Sequence, residues 1–110
     1  MGQPAGPEFR VNKTASSLQI NPRVAADAAG NFIFAWQSLE QDGDRYGIFY
    51  RAFNSAGKPL GPEVQVNLYT ADDQEYPKVA ADDAGNFVAA WQDDTQDGSG
   101  RGVFARAFKK

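Results

Sequence analysis

Apolar and polar residues alternate over several short stretches of the chain, and this alternation is typical of β-strands. In residues 31–37 the aromatic side chains of Phe32, Phe34 and Trp36 share one face, while Ile33 and Ala35 share the other. Both faces are apolar, so we expect this strand to belong to a sheet that is covered on both sides.

The same pattern predicts eight strands and leaves no stretch with the period of a helix. Tight turns are predicted at 27–30 and 54–57, because Asp or Asn can accept a backbone hydrogen bond and Gly can adopt positive φ. The strands are expected at residues 8–12, 24–26, 31–37, 48–53, 63–67, 79–81, 86–92 and 103–108.

Residues 22–37 recur as residues 77–92, about 55 positions later, and a fixed period of this size indicates repeated structural units. Each unit contains four short strands joined by tight turns, which is typical of β-propeller blades. We therefore predict an all-β fold, a β-propeller with two four-stranded antiparallel blades per chain. The innermost strands would be 24–26 and 79–81, whose small side chains suit a crowded ring axis.

The second repeat lacks its fourth strand, while the chain begins with a spare one. Residues 22–67 form a complete blade, residues 77–108 form a three-stranded blade, and residues 8–12 are the spare outer strand. When the C-terminus is placed before the N-terminus, the register continues without a gap, and Gly2 falls on Gly57 and Pro7 on Pro62. We expect residues 8–12 to complete the open blade of a neighbouring copy.

Head-to-tail exchange of this kind closes into a ring or continues as a filament. Three copies would give six blades and four would give eight, both within the usual ~4–8 blades of propellers. We favour the homotrimer over the tetramer. The residues expected to form the clasp between copies are Glu8, Phe9, Val11, Val103, Phe104, Arg106 and Phe108.

These motifs resemble a β-propeller repeat family of bacterial surface and secreted proteins. The resemblance implies the propeller fold and an extracellular or cell-surface location for the parent family, but no particular activity. Such arrays usually carry many blades in one chain, so a two-blade chain resembles a fragment or an engineered building block. The matching residues are Val11-Asn12, Gln19, Pro22, Asp27, Gly30-Asn31-Phe32, Trp36, Gln41-Asp42-Gly43 and Gly47-Ile48, with counterparts at Val66-Asn67, Gln74, Pro77, Asp82, Gly85-Asn86-Phe87, Trp91, Gln96-Asp97-Gly98 and Gly102-Val103.

Composition narrows the chemistry. The chain has no His, which is the commonest general base, and no Cys, which is the only side chain with a nucleophilic thiol. The formal net charge is −3, and the sequence shows no basic patch of the kind that binds nucleic acid. No apolar run is long enough to span a membrane. The N-terminus has no apolar signal region. We expect no enzymatic activity and no cofactor, although paired carboxylates of a hydrolase remain an alternative.

A lectin-like propeller is the alternative to a purely structural module. Trp36 and Trp91 could stack on a carbohydrate at the blade junctions, or could belong to the core between blades. Gln41 and Asp42, with Gln96 and Asp97 in the second repeat, could form a ligand rim or serve only as turn residues.

Two further charged features leave alternatives open. The acidic loops do not have the alternating carboxylate spacing of a calcium loop, so we predict no metal site, and calcium binding there stays open. Arg51 is expected to pair with Glu63 across neighbouring strands, and Arg106 with Glu8 of the next copy. Such pairs could confer specificity on the clasp or be ordinary surface pairs.

Overall fold

A computed structural model describes residues 2–3, 6–12, 19–39, 46–67, 74–93 and 102–109. These residues form two antiparallel sheets and no helix. Sheet A has the order β1-β2-β3-β4 and sheet B the order β5-β6-β7, so the all-β prediction is confirmed. The strands are β1 (Gln19–Ala26), β2 (Phe32–Leu39), β3 (Tyr46–Phe53), β4 (Val64–Gln65), β5 (Gln74–Ala81), β6 (Phe87–Asp93) and β7 (Gly102–Phe108).

The first strand of each sheet is longer than the pattern predicts, because it continues through a β-bulge. The register of β1 against β2 shifts between Ile20 and Arg23, and that of β5 against β6 shifts at the equivalent place. Asn21 and Tyr76 lie in these bulges and both have a φ of 55°. A proline is tolerated at a bulge, where the ladder needs no N–H. β5 therefore begins at Gln74, five residues before the predicted strand 79–81.

The predicted turns are present and are held by side-chain acceptors. The Asp27 carboxylate accepts hydrogen bonds from the backbone N–H of Ala29 (2.9 Å) and Asn31 (3.0 Å). Asp82 does the same in the second repeat, and Asn54 holds the turn after β3 through its amide oxygen. Gly30, three residues after Asp27, has a φ of 84°, a conformation that disfavours residues with a Cβ.

Two predicted strands differ from the structure. The fourth strand of sheet A is limited to Val64 and Gln65. The next residue, Val66, still donates its N–H to β3, and its side chain is buried among side chains of both sheets. Residues 8–12 are not a strand in this single chain. They lie over sheet A, where the Phe9 ring is 5.1 Å from the Phe53 ring between centroids.

The core lies between the two sheets. Ile48 from β3 packs with Val66, Ala89 and Trp91, which places one face of sheet A against one face of sheet B. Tyr50 extends this contact, and its ring centroid lies 4.8 Å from that of Phe87. Burial raises the pKa of the Tyr50 hydroxyl, against a smaller lowering by Arg106. We call this contact the inner interface.

Acid should weaken the second repeat through its turn. Hydrogen bonds, first from the Asn86 side chain and then from the backbone, lower the pKa of Asp82 despite some opposing desolvation. The stabilisation is therefore present above the unfolded pKa and is lost as the pH falls through the lower folded pKa. Asn54 shows that an amide can fill the same turn position.

We expect the loss of melting temperature between about pH 7 and pH 2 to be smaller in Asp82→Asn than in the original chain. Thermal unfolding followed by circular dichroism measures this loss. Asp83→Asn removes the same charge from an exposed neighbour in the turn and serves as the control. Equal acid sensitivity in Asp82→Asn and the original chain would contradict the assignment.

Candidate functional site

The inner interface uses opposite faces of two equivalent sheets, so each sheet also has a second, outer face. β2 and β3 of sheet A are the repeat equivalents of β6 and β7 of sheet B. On the inner interface sheet A presents the face of Ile33, Ala35 and Ile48, whereas sheet B presents the face of Phe87, Ala89 and Trp91. The outer face of sheet A is therefore equivalent to the inner face of sheet B, and the outer face of sheet B to the inner face of sheet A.

The outer face of sheet B is largely apolar and exposed on β6 and β7, while β5 adds the charged Lys78 to it. It carries Val88, Ala90, Gln92, Val103, Ala105 and Ala107. Val103 is 82% exposed, whereas its equivalent Ile48 is fully buried in the inner interface. Val88 is 40% exposed, whereas its equivalent Ile33 is 3% exposed. Side chains that are core residues in the first repeat thus lie in solvent in the second.

A pocket of about 200 Å³ lies at the outer face of sheet A. Val11, Phe34 and Trp36 contribute to its lining. These three residues are the repeat equivalents of Val66, Ala89 and Trp91, which surround Ile48 at the inner interface. The pocket is therefore the repeat equivalent of the space between the two sheets that the Ile48 side chain fills.

The aromatic part of this face is covered by the N-terminal segment. Phe9 contacts Phe53 and, edge-on at 6.5 Å between centroids, Phe34. The Arg51 guanidinium donates to the Val11 carbonyl oxygen at 3.2 Å, and Arg106 donates to the Val66 carbonyl oxygen at 3.1 Å. Because these two bonds are repeat equivalents, residue 11 approaches sheet A in the way that residue 66 approaches sheet B.

A buried glutamine joins the two sheets. The Oε1 atom of Gln37 accepts a hydrogen bond from Asn21 Nδ2 at 2.7 Å and another from the Tyr76 backbone N–H at 3.0 Å. The donors lie at the two equivalent bulges, one in each sheet. Gln37 is nearly fully buried, whereas its two donor residues lie partly in solvent. The equivalent side chain in the second repeat is Gln92, on the outer face of sheet B.

Asn67 fixes the passage from β4 to the second repeat. Its Oδ1 atom accepts a hydrogen bond from the Ile48 backbone N–H at 2.8 Å, and the Val66 N–H donates to the Ile48 carbonyl oxygen at 2.7 Å. The two residues after β4 thus remain bonded to β3 while Val66 enters the core. Their equivalents, Val11 and Asn12, line the pocket on sheet A.

The clasp residues predicted on β7 divide between the two faces of sheet B. Val103 points away from the rest of the chain, whereas Phe104 and Phe108 pack against the inner interface. Arg106 lies over Phe108, 5.1 Å from the ring centroid, and bonds to Val66 as described above. Glu8 is exposed, and its pairing with Arg106 of another copy stays a prediction, as does the pairing of Arg51 with Glu63.

The two tryptophans, which the sequence allows as carbohydrate platforms or as core residues between blades, are both buried. Trp36 is 4% exposed and its indole N–H donates to Gln19 Oε1 at 2.9 Å, while Trp91 is 6% exposed and belongs to the inner interface. Neither ring offers an open face to a sugar. Gln41, Asp42, Gln96 and Asp97, with most of the acidic loop residues, lie outside the described residues.

The described residues contain no group of three acidic side chains that could hold a metal ion. In the same part of the chain no helix is long and apolar enough to cross a membrane. The features that the structure does bring together are apolar surfaces and backbone hydrogen-bonding groups.

Gln37 and Asn67 were missed by sequence reasoning, which treated both only as parts of strands. Their bonds depend on the bulge at Tyr76 and on the path after β4, and neither is visible in an alternation of apolar and polar residues. A signal did exist, because both polar residues recur in the repeat as Gln92 and Asn12. Polar residues that recur at equivalent positions next to apolar strands are candidates for buried acceptors.

Asn67→Ala should destabilise the chain by about 1–3 kcal/mol, because it leaves the buried Ile48 N–H without its acceptor. Urea unfolding of the two proteins measures the difference. The matched control is Asn12→Ala at the equivalent, half-buried position, which should cost less in dilute solution. Equal costs for the two substitutions would contradict the role assigned to Asn67.

Comparison with known proteins adds no relative to this description. No protein-family model matches the chain, and no curated protein or solved structure is significantly similar to it. Within the chain, each outer face is the repeat equivalent of one side of the inner interface.

Proposed function

We propose that this chain is a structural module that assembles with copies of itself into a closed β-propeller. The outer face of sheet B of one copy packs on the outer face of sheet A of the next, as the sheets pack within the chain. The contact joins two different surfaces, so successive copies add head to tail until a ring closes. Three copies with six blades are favoured over four copies with eight.

One observation carries the proposal: an exposed side chain and a pocket are the repeat equivalents of a buried side chain and the residues around it. Val103 is the equivalent of Ile48, and the pocket beside Phe34 and Trp36 is the equivalent of the site that Ile48 fills. Burial of such apolar surface is the main driving force of association.

The sizes of the paired residues support this fit. Inside the chain a large Ile48 meets the small Ala89. Between copies a smaller Val103 would meet the larger Phe34. The differences run in opposite directions, so the combined volume changes less than the exchange of Ala for Phe alone would change it. Cores tolerate substitutions best when the total volume is kept.

Backbone pairing supports the same arrangement. Among the described strands β7 ends sheet B, so one edge of β7 has no neighbour in the chain, whereas β3 of sheet A is bordered by β4. Residues 8–12 of the next copy have the sequence pattern to supply that fourth strand. An exposed strand edge readily accepts an extended segment of another chain.

Alternative functions have weaker support from the described residues. A lectin-like module would need accessible aromatic faces, but both tryptophan rings are buried. The pocket beside Trp36 is lined mainly by apolar groups that have equivalents in the chain's own core. The resemblance to the propeller family is part of this proposal. The extracellular or cell-surface location of that family is also part of it.

Val103→Lys should prevent assembly, because it places a charge where an apolar side chain would be buried. Light scattering is expected to give three times the chain mass of 11.9 kDa for the original chain and one chain mass for the variant. Leu60→Lys makes the same chemical change at an exposed turn position and should leave the mass of the assembly unaltered. An original chain that stays monomeric at all concentrations would refute the proposal.

A mixture of two variants tests whether the contact is head to tail. Val24→Lys charges the outer face of sheet A, where Val24 lies beside Phe34 in the register, and Val103→Lys charges the outer face of sheet B. Each variant alone should be monomeric. Together they have one intact pair of faces and should form a dimer that grows no further. A self-complementary interface, which pairs one face with the same face of another copy, would instead let one of the two variants dimerise alone.

A further inference from the structure

We propose that Phe9 supplies to the interface between copies the aromatic ring that Tyr50 supplies inside the chain, and that it does so by pairing opposite Ala105 of the neighbouring copy. This inference rests on the proposed assembly and specifies how its clasp is aligned. It concerns two positions on neighbouring strands at which the repeats exchange a large and a small residue.

Inside the chain, the ring belongs to β3. Tyr50 lies 4.8 Å from Phe87 and 5.0 Å from Phe108 between ring centroids, so it fills the space over the aromatic side chains of sheet B. Its partner across the ladder is Val64 of β4. Residues directly opposite each other in a ladder project on the same side of the sheet, so Tyr50 and Val64 share the inner face.

At the equivalent positions of the clasp the two sizes are exchanged. The equivalent of Tyr50 is Ala105, which has no ring, and the equivalent of Val64 is Phe9. The ladder partners would thus change from a tyrosine and a valine to an alanine and a phenylalanine. The aromatic group has moved from the third strand to the fourth, and each pair retains one aromatic side chain.

The single chain already holds Phe9 in the corresponding place. Phe9 lies 5.1 Å from Phe53, and Phe53 is the equivalent of Phe108, on which Tyr50 packs. Phe9 also remains about half exposed, so one side of its ring is available to a neighbouring chain. A neighbour with Ala105 above this position leaves room for the ring, whereas a neighbour with tyrosine there would compete for the same space.

This arrangement determines the register of the clasp. Within sheet A, β4 pairs Val64 with Tyr50 and Gln65 with Phe49. The equivalent ladder pairs Phe9 with Ala105 and Arg10 with Phe104 of the neighbouring copy. A shift by one residue would turn Phe9 to the opposite side of the sheet and away from Phe53.

The experiment moves the ring back to the third strand. Phe9→Val, Ala105→Tyr and the double variant are compared with the original chain by sedimentation over a range of concentrations. Phe9→Val should raise the concentration for half-assembly at least about tenfold through loss of a buried ring, and Ala105→Tyr should raise it similarly through crowding. The double variant recreates the Tyr50–Val64 pair and should return to within about threefold of the original.

Rescue within one molecule does not account for that result, since Phe9 and Ala105 lie on the two outer faces, with both sheets between them. Circular dichroism of the dilute proteins verifies that each variant folds. If the original chain assembles and Phe9→Val assembles equally well, or the double variant is as weak as the weaker single variant, the register is wrong while the assembly stands. If the original chain never assembles, the proposed function itself fails.

Discussion

The packing of two equivalent sheets through unlike faces is the contact on which the rest of the structure depends. Ile48 of sheet A meets Val66, Ala89 and Trp91 at this contact, and the buried apolar area stabilises both sheets together. A contact between unlike faces differs from a symmetric one, because it always leaves one surface of each kind unused. The exposed Val103 and the pocket beside Phe34 are those two surfaces.

The two repeats are not interchangeable, although β2 and β3 pair in the same register as β6 and β7. Tyr50, Ala89 and Val64 of the inner interface correspond to Ala105, Phe34 and Phe9 at the outer faces, so large and small side chains exchange places. Each change alone would leave a void or an overlap, and both cost stability in a packed core. Taken together, they are consistent with two interface types that alternate along a stack of sheets.

The strands, their turns and the repeat could be predicted from the sequence, because each depends on local chemistry. The alternation in residues 31–37 indicated β2, and the Asp–Gly spacing indicated the turn that Asp27 holds. The parts that could not be predicted depend on contacts between distant residues. Gln19 and Ile20 show little strand pattern, yet they pair with β2 because a bulge accommodates Pro22.

The same reason explains the difference at the fourth strand and the two interpretations that the sequence allows for the tryptophans. A pattern of alternating residues in 8–12 and 63–67 cannot show which sheet edge is within reach, and of these described residues only Val64 and Gln65 form ladder pairs with β3. The burial of Trp36 and Trp91 was one of two interpretations, because a tryptophan on a strand suits either a core or a ligand. The pocket could not be predicted because its lining comes from three segments that are distant in sequence, at residues 11–12, 19–22 and 34–36.

The bulge at Tyr76 has a geometric consequence. Backbone N–H groups in a regular strand lie in the plane of their own sheet, where they serve the ladder. With a φ of 55° at Tyr76, the N–H of this residue instead reaches Gln37 on the adjacent sheet. Apolar contacts alone allow two stacked sheets to rotate over one another, since they have no preferred direction. A directed bond from backbone to buried amide limits that rotation, and in the proposed ring the rotation per sheet would decide how many sheets complete a circle.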